Sequence, residues 1–184
     1  TIGVSAYKPG YVKRTREPGG ASYTVFRAGE VHGRITPRLE AVVKLLSNID
    51  SVKATTNLWG ERWTKLVQNS MSNGISAITG FGQKQMVTSP EVRRLSIQLA
   101  GEAIAVGQAL GFNLESIRGN APDLVKAAAQ GDRKAFEQVE ANMLKQLSRM
   151  TDEGRPSTGQ DILKGRRTEI DFINGAVVRL GEKL

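Results

Sequence analysis

The sequence predicts a mainly α-helical protein, in which a bundle of about five helices follows a shorter region of strands with one helix. Over most of the chain, apolar residues recur at helical spacing in segments that glycine and proline delimit. Residues 1–35 contain β-favouring residues instead, separated by the turn sequences Pro9-Gly10 and Pro18-Gly19-Gly20. We therefore expect two parts, residues 1–56 and residues 57–184.

The composition limits both the size of the fold and the chemistry available to it. A chain of 184 residues with 39% hydrophobic content can bury a core as one domain or slightly more. It has no cysteine and one histidine, His32, which excludes disulfides, thiolate nucleophiles and metal sites built from cysteine or several histidines. No apolar run approaches the roughly 20 residues of a membrane span, and no signal-peptide pattern is present, so we expect a soluble, cytoplasmic protein.

The formal net charge of +8 fits two classes of partner. A basic surface can attract anionic small molecules, such as carboxylates and nucleotide phosphates, or it can bind nucleic acid. Aromatic residues make up only 5% of the chain and do not alternate with basic ones, which argues against a single-strand binder. We therefore expect no nucleic-acid partner, and we keep a non-catalytic, basic helical interaction module as the alternative to an enzyme.

Residues 1–56 are expected to form a few short strands and one helix. Thr36 and Pro37 match an N-cap followed by proline at the first helical position, which predicts a helix of about three turns. The run 51–57 is polar and β-branched, and we interpret it as a link. The β-favouring residues of this part are Ile2, Val4, Tyr11, Val12, Tyr23, Val25 and Phe26.

Residues 57–184 contain clear helix start and stop signals. Ser89-Pro90 and Asp132 match helix starts, and Gly80 matches a C-terminal cap. The predicted helices span residues 58–79, 90–110, 122–130 and 133–147, and a fifth begins at Ser157. The buried stripe predicted for the second helix consists of Val92, Leu95, Leu99, Ala103, Val106 and Leu110.

The most polar segment of the sequence is residues 155–178. Ser157 matches an N-cap, and Gln160 can complete a capping box with it. Further along, charged and amide side chains are denser than a packed helix requires, which predicts a helix that lines a functional site. These side chains belong to Asp161, Arg166, Arg167, Glu169, Asp171 and Asn174.

A second polar helix face is predicted within residues 58–79. Lys65, Asn69 and Asn73 follow one another at intervals of four residues, so each is rotated by about 40° from the last and all share one face. The alternative is that they are ordinary surface positions, with Lys65 extended into water. The spacing leaves both interpretations open. A lysine and a carboxylate such as Glu169, on two polar helices of one small bundle, could meet across a cleft.

Two motifs in these polar segments resemble one family. WxKLxxNxxxN runs from Trp63 to Asn73, and SxxQDxxxGRxTEIDxINGxVV runs from Ser157 to Val178. Together they resemble the C-terminal half of ketopantoate reductase (2-dehydropantoate 2-reductase), and FRAGEVHG at residues 26–33 is similar to the end of that family's cofactor-binding domain. The resemblance implies a helical domain like the C-terminal domain of 6-phosphogluconate dehydrogenase, after a short α/β remnant of a Rossmann-type domain. It also implies NADPH-dependent reduction of 2-dehydropantoate to pantoate, in pantothenate and coenzyme A biosynthesis.

The resemblance further implies a set of site residues. It assigns catalysis to Lys65 and Glu169, and substrate binding to Asn69, Asn73 and Ser157. Hydride transfer to a ketone carbon leaves negative charge on the oxygen, which a lysine ammonium can stabilise and protonate, so Lys65 is the general acid. The amides would orient the substrate, and the serine hydroxyl would bind its carboxylate. Glu169 would either accept a hydrogen bond from the substrate hydroxyl or hold Lys65 in place, and both roles stay open.

The sequence departs from the family pattern in two respects. The glycine-rich nucleotide motif is missing, and Gly80-Phe81-Gly82 does not replace it because Gln85 stands at the third glycine position in a helical context. We therefore expect a trimmed piece of a longer protein, whose N-terminal nucleotide-binding domain is its partner. Thr158-Gly159 replaces a bulky apolar pair, so another 2-oxo acid is an alternative substrate. The choice of NADP over NAD and the oligomeric state stay open, with a homodimer among the alternatives. Three polar residues of the last motif are interpreted as structural, namely Asp161, Arg166 and Asn174.

Overall fold

The computed structural model describes residues 4–14, 17–150 and 154–184, and the predicted strand residue Ile2 lies outside them. A β-hairpin comes first, in which strand β1 (Val4–Lys8) pairs antiparallel with strand β2 (Tyr11–Arg14). Gly10 in the connecting turn has a φ of +73°, a left-handed conformation that glycine adopts without the steric cost of a Cβ atom. The predicted turn at Pro9-Gly10 is confirmed.

A small parallel β-α-β unit follows the hairpin. Strand β3 (Phe26–Ala28) leads into helix α1 (Pro37–Ser47), and strand β4 (Val52–Ala54) then pairs with β3 in parallel. Thr36 caps α1 by accepting a hydrogen bond from the Leu39 amide at 3.2 Å, so the predicted helix start is confirmed. The interpretation of residues 51–57 as a link is wrong, because three of its residues form β4. The segment is too short to show strand alternation, and its pairing partner lies far upstream.

The rest of the chain is helical, which confirms the predicted mainly α fold class. The described part of residues 57–184 has more and shorter helices than the five expected, because two predicted helices are interrupted and one short helix was missed. The helices are α2 (Leu58–Ser70), α3 (Asn73–Thr79), α4 (Gln83–Thr88), α5 (Pro90–Ala109), α6 (Pro122–Ala129), α7 (Arg133–Lys145), α8 (Ser157–Leu163) and α9 (Asn174–Gly181), with 3-10 turns at Leu147–Arg149 and Ile170–Phe172.

The chain divides into two compact units, Thr1–Glu61 and Arg62–Leu184. The second unit has its own core, in which the central helix α5 packs against α6, and α6 against α7. Fully buried aliphatic side chains from four helices meet there, as expected for one contiguous hydrophobic core. The largest of them are Val67, Ile97, Ile104, Val125 and Val139.

Small residues decide which face of α5 is buried. A Cβ atom on Gly101 would overlap Ala129 of α6, and one on Gly107 would overlap the indole ring of Trp63, so both glycines permit close helix approach. The predicted apolar stripe was only partly correct for this reason. Ala103 is fully buried, whereas Leu95 and Leu110 are exposed.

Some local capping signals of this unit were predicted correctly. Asp132 accepts a hydrogen bond from the Ala135 amide at 3.0 Å and begins α7, as predicted. The Gly82 amide donates to the Gln85 side chain at 2.8 Å, which starts the short helix α4. Gln85 therefore has a capping role at the position where a dinucleotide motif would have glycine. No helix in the described parts of the chain is long and apolar enough to cross a membrane.

Candidate active site

The candidate site residues on the first polar segment do not share one continuous helix. The prediction of a single helix over residues 58–79 is wrong, because the helix is interrupted at Met71 and Ser72 between α2 and α3. Ser72 has a φ of −136° and a ψ of −35°, and its side chain donates to the carbonyl of Gln68 at 3.1 Å. A serine that bonds the preceding turn in this way competes with the backbone helix pattern.

The end of α2 nevertheless has its hydrogen bonds satisfied. The last four carbonyl groups of a helix have no partner within it and must find one elsewhere. In α2 one partner comes from the far end of the chain, the side-chain amide of Asn174. The four bonds, in order, are Val67 carbonyl from Met71 amide, Gln68 carbonyl from Ser72 hydroxyl, Asn69 carbonyl from Ser72 amide, and Ser70 carbonyl from Asn174 Nδ2, each at 3.1 Å.

The interruption separates the three residues of the predicted polar face. Lys65 and Asn69 lie on α2, where Lys65 is exposed and Asn69 half-buried, while Asn73 is the first residue of α3. Asn73 is only 4% exposed, and its Oδ1 accepts a hydrogen bond from Ser72 at 3.4 Å. The two asparagines therefore flank the break, and the lysine stands more than one turn before it.

Ser157 lies at the start of α8 but does not cap it. The residue in the N-cap position is Pro156, and Gln160 donates to the Arg155 carbonyl at 3.1 Å rather than closing a capping box. The predicted capping box is therefore wrong, because Pro156, one residue earlier, occupies the N-cap position. The side chain of Ser157 is exposed. Helix α8 packs against α3, the helix that Asn73 begins.

The prediction that Glu169 lies on the helix beginning at Ser157 is wrong. Helix α8 ends at Leu163, and Gly165 then takes a left-handed φ of +62°, which stops the helix. Glu169 immediately precedes the 3-10 turn Ile170–Phe172, and its side chain is exposed. The polar segment is thus a short helix, a loop, a turn and a second short helix.

The segment after Glu169 reaches the break between α2 and α3. A Cβ atom on Gly74 would lie 3.4 Å from Ile170 Cδ1 and 3.7 Å from Asn174 Oδ1, so both side chains lie close to the first turn of α3. The structure therefore brings together the asparagine break and the 170–174 segment that follows Glu169. Whether the Lys65 and Glu169 side chains face one pocket stays a prediction.

Sequence reasoning missed two features of this arrangement. One is the capping role of Asn174, which was interpreted as structural in general terms. The other is the break itself, for which the polar run Asn69-Ser70-Met71-Ser72-Asn73 was a usable signal. Serine and asparagine favour caps and turns over helix interiors, so two serines between two asparagines indicate an interruption.

The family assignment rests on the whole of this helical region. The model of the family described as "Ketopantoate reductase PanE/ApbA C terminal" matches residues 57–184. The chain belongs to this family. That match supports an oxidoreductase over the alternative of a non-catalytic basic module.

Two curated relatives of this family member are both named 2-dehydropantoate 2-reductase. The 2-dehydropantoate 2-reductase of Archaeoglobus fulgidus is 27% identical over 165 residues, covering 89% of this chain and 47% of the relative. The 2-dehydropantoate 2-reductase of Pyrobaculum aerophilum is 27% identical over 175 residues, covering 91% of this chain and 55% of the relative. The chain therefore spans about half the length of these relatives.

Solved structures of similar fold cover nearly the whole chain. A 2-dehydropantoate 2-reductase from Geobacter metallireducens matches with a TM-score of 0.72 and 21% identity, over 100% of this chain and 52% of its own. A dimeric ketopantoate reductase from Staphylococcus aureus matches with a TM-score of 0.64 and 21% identity, over 100% of this chain and 54% of its own. D-mandelate dehydrogenase in complex with NADH matches with a TM-score of 0.65 and 19% identity, over 99% of this chain and 57% of its own. At these identities the likeness shows the fold.

Proposed function

We propose that this chain is the C-terminal catalytic portion of an NADPH-dependent 2-dehydropantoate 2-reductase, which reduces 2-dehydropantoate to pantoate. The observation that carries the proposal is the family match over residues 57–184, which contains both polar segments of the candidate site. In this proposal residues 57–184 are the substrate-binding and catalytic domain. Residues 1–56 are the tail of a nucleotide-binding domain, and the start of the family match at residue 57 supports this division.

The proposed cofactor is NADP(H), bound mainly by a part of the protein beyond this chain. The curated relatives are about twice as long as the chain, which leaves room for a nucleotide-binding domain as its partner. A fold neighbour is named as an NADH complex, so a nicotinamide cofactor is supported more strongly than the choice of NADP. We further propose a cytoplasmic protein. A homodimer is supported by the dimeric enzyme of Staphylococcus aureus.

The proposed roles of the side chains follow from their chemistry. The cofactor supplies the hydride to the ketone carbon, and the ammonium of Lys65 stabilises the negative charge on the oxygen and donates a proton to it. Asn69 and Asn73, on either side of the helix break, orient the substrate through their amides. The exposed hydroxyl of Ser157 donates to the substrate carboxylate. Glu169 accepts a hydrogen bond from the substrate hydroxyl or orients Lys65.

A different 2-oxo acid is the second candidate substrate. The observation behind it is the pair Thr158-Gly159, the buried residues of α8, where the resemblance led us to expect larger apolar side chains. A fold neighbour named D-mandelate dehydrogenase acts on a 2-hydroxy acid with an aromatic side chain, as its name states. Comparison of 2-dehydropantoate with an aromatic 2-oxo acid distinguishes the two candidates.

The test uses the protein together with its nucleotide-binding portion. We expect NADPH oxidation to depend on added 2-dehydropantoate, and the Lys65→Ala variant to lose about 10²- to 10⁴-fold in kcat, the usual contribution of a general acid. Lys134→Ala, an exposed lysine on α7, is the matched control and should keep wild-type turnover. Wild-type turnover in Lys65→Ala would refute the assignment of Lys65 as the proton donor. Absence of turnover with every 2-oxo acid tried would refute the function.

A further inference from the structure

The last carbonyl of α2 is capped by a side chain from far along the sequence. Asn174 is the first residue of α9, and its Nδ2 atom donates to the carbonyl oxygen of Ser70 at 3.1 Å across 104 residues. A carbonyl oxygen can only accept a hydrogen bond, so the nitrogen of the Asn174 amide must be the atom that faces it. The orientation of this amide is therefore fixed by its partner.

The other half of the same amide is unpaired. Within the described parts of the chain, Asn174 Oδ1 is buried and has no hydrogen-bond partner. An unpaired buried acceptor costs free energy, and leucine, of similar size and shape, would fill the space without that cost. The presence of an amide is therefore explained by the bond that it donates rather than by packing.

The donated bond connects two segments that carry candidate site residues. Ser70 lies at the break that separates the two candidate asparagines, and Asn174 lies five residues after Glu169. Between Glu169 and Asn174, the backbone amides of Phe172 and Ile173 donate to the Glu169 carbonyl at 2.9 and 3.1 Å. A short hydrogen-bonded turn thus links the backbone of Glu169 to the anchored Asn174.

Packing on Gly74 supports the same connection. A Cβ placed on Gly74 would lie 3.4 Å from Ile170 and 3.7 Å from Asn174, so both side chains lie close to the first turn of α3. The segment therefore lies beside the first turn of α3 both at the start of its 3-10 turn and at Asn174. The bond to Ser70 is thus the direct link between this segment and the junction of α2 and α3, and the proximity to Gly74 agrees with it.

We propose that Asn174 is a positioning residue for the reductase reaction, whose amide holds the Glu169 segment against the break between α2 and α3. The inference rests on the proposed function, because it takes Glu169 to be part of the site. Asn174 contacts no reacting atom in this proposal and acts through Glu169. A misplacement of about 1 Å at a catalytic group can cost about 10²-fold in rate, so loss of the anchor should be visible in turnover.

The first test is independent of activity. In Asn174→Leu the Ser70 carbonyl loses its donor, and we expect amide hydrogen exchange at Phe172 and Ile173 to become at least about 10-fold faster while α5 and α6 stay unchanged. Asn142→Leu is the matched control, because it removes another side-chain amide bond of this unit, the 2.7 Å bond to Asn120. Unchanged exchange at residues 172–173 in Asn174→Leu overturns the proposal.

The second test is kinetic and uses the protein with its nucleotide-binding portion. We expect Asn174→Leu to lower kcat by about 10- to 100-fold with a smaller change in KM, and to add no further loss to Glu169→Gln. Fully multiplicative losses in the double variant would show that Asn174 does not act through Glu169, and would overturn the proposal. If Glu169→Gln alone keeps wild-type turnover, the assigned role of Glu169 fails instead, and the exchange experiment decides whether Asn174 anchors the segment.

Discussion

Gly159 of α8 lies so close to Ser76 of α3 that a Cβ atom on the glycine would overlap the serine Oγ. Ser76 cannot easily turn away, because its hydroxyl donates to the carbonyl of Phe81 at 2.7 Å and its residue is only 1% exposed. The position of α8 on α3 therefore depends on the absence of a side chain at residue 159. The glycine that departs from the family pattern thus has a packing role.

Gly159→Ala is expected to destabilise the helical unit by about 1–3 kcal/mol, the usual cost of overpacking. Alanine is favoured over glycine in a helix by about 1 kcal/mol, so a net loss can only come from the contact. The measurement is the free energy of unfolding from guanidinium titration. Adding Ser76→Ala removes the overlapping oxygen and should recover part of the loss. An alanine variant as stable as wild type would contradict the close contact.

A partly buried ion pair and an exposed one, each with its glutamate on α7, offer a matched comparison. Arg93 of α5 is 8% exposed, pairs with Glu140 of α7 at 2.9 Å, and donates to the carbonyl groups of Val87 and Thr88 at 2.7 and 3.0 Å. Removing one partner of a buried pair leaves an unpaired charge behind. The arginine keeps its two carbonyl partners, so we expect Glu140→Ala to cost about 2 kcal/mol, less than a fully isolated charge.

Glu137→Ala is the control for this experiment. Glu137 pairs with Arg133 on α7 at 2.9 Å, but both side chains are mostly exposed, so its loss should cost less than about 1 kcal/mol. The two variants make the same chemical change on the same helix, and thermal or guanidinium unfolding compares them directly. Equal losses in the two variants would show that the burial of Arg93 has no energetic consequence.

The third prediction concerns the pH dependence of the first unit. Glu30 accepts hydrogen bonds from Arg38 and, at 2.6 Å, from the Thr36 hydroxyl, and these bonds lower its pKa from 4.5 to about 2. A carboxylate with a lowered pKa stabilises the fold above its ordinary pKa. That contribution is lost as the pH falls from about 4.5 toward 2.

Carboxyl NMR shifts of Glu30 measure this pKa directly. We expect a titration midpoint near 2 in the wild type, and a higher midpoint in Arg38→Ala, because the largest cause of the lowered pKa is removed. Thr36 also caps α1, so Thr36→Ala should raise the midpoint and shorten the helix together. A wild-type midpoint near 4.5 would contradict the hydrogen-bonded network.

Several features that depend on neighbours in the sequence could be predicted, whereas those that depend on distant partners could not. The caps at Thr36 and Asp132 each bond an amide three residues away, so a few letters of sequence contain the whole interaction. The buried face of α5 was misread because Gly101 and Gly107 become buried only where another helix approaches them. The parallel pairing of β4 depends likewise on a strand that the local run does not contain.

The candidate site shows the same division. The two motifs marked the segments that carry Lys65, Asn73 and Glu169, and the family match includes both of them. The regular helices drawn through those motifs were wrong, because a serine interrupts the first and Gly165 ends the second early. At the first interruption, Asn174 donates a hydrogen bond to the last carbonyl of α2, and nothing in the local sequence indicates that pairing.

The bond between Asn174 and Ser70 also has a consequence for the order of folding. The backbone hydrogen bonds within α2 join neighbouring residues, whereas its final carbonyl waits for a residue 104 positions later. During synthesis the junction with α3 therefore remains incomplete until residue 174 has been made. Asn174 is translated 104 residues after Ser70, and its arrival completes the hydrogen bonding of a helix whose sequence was made much earlier.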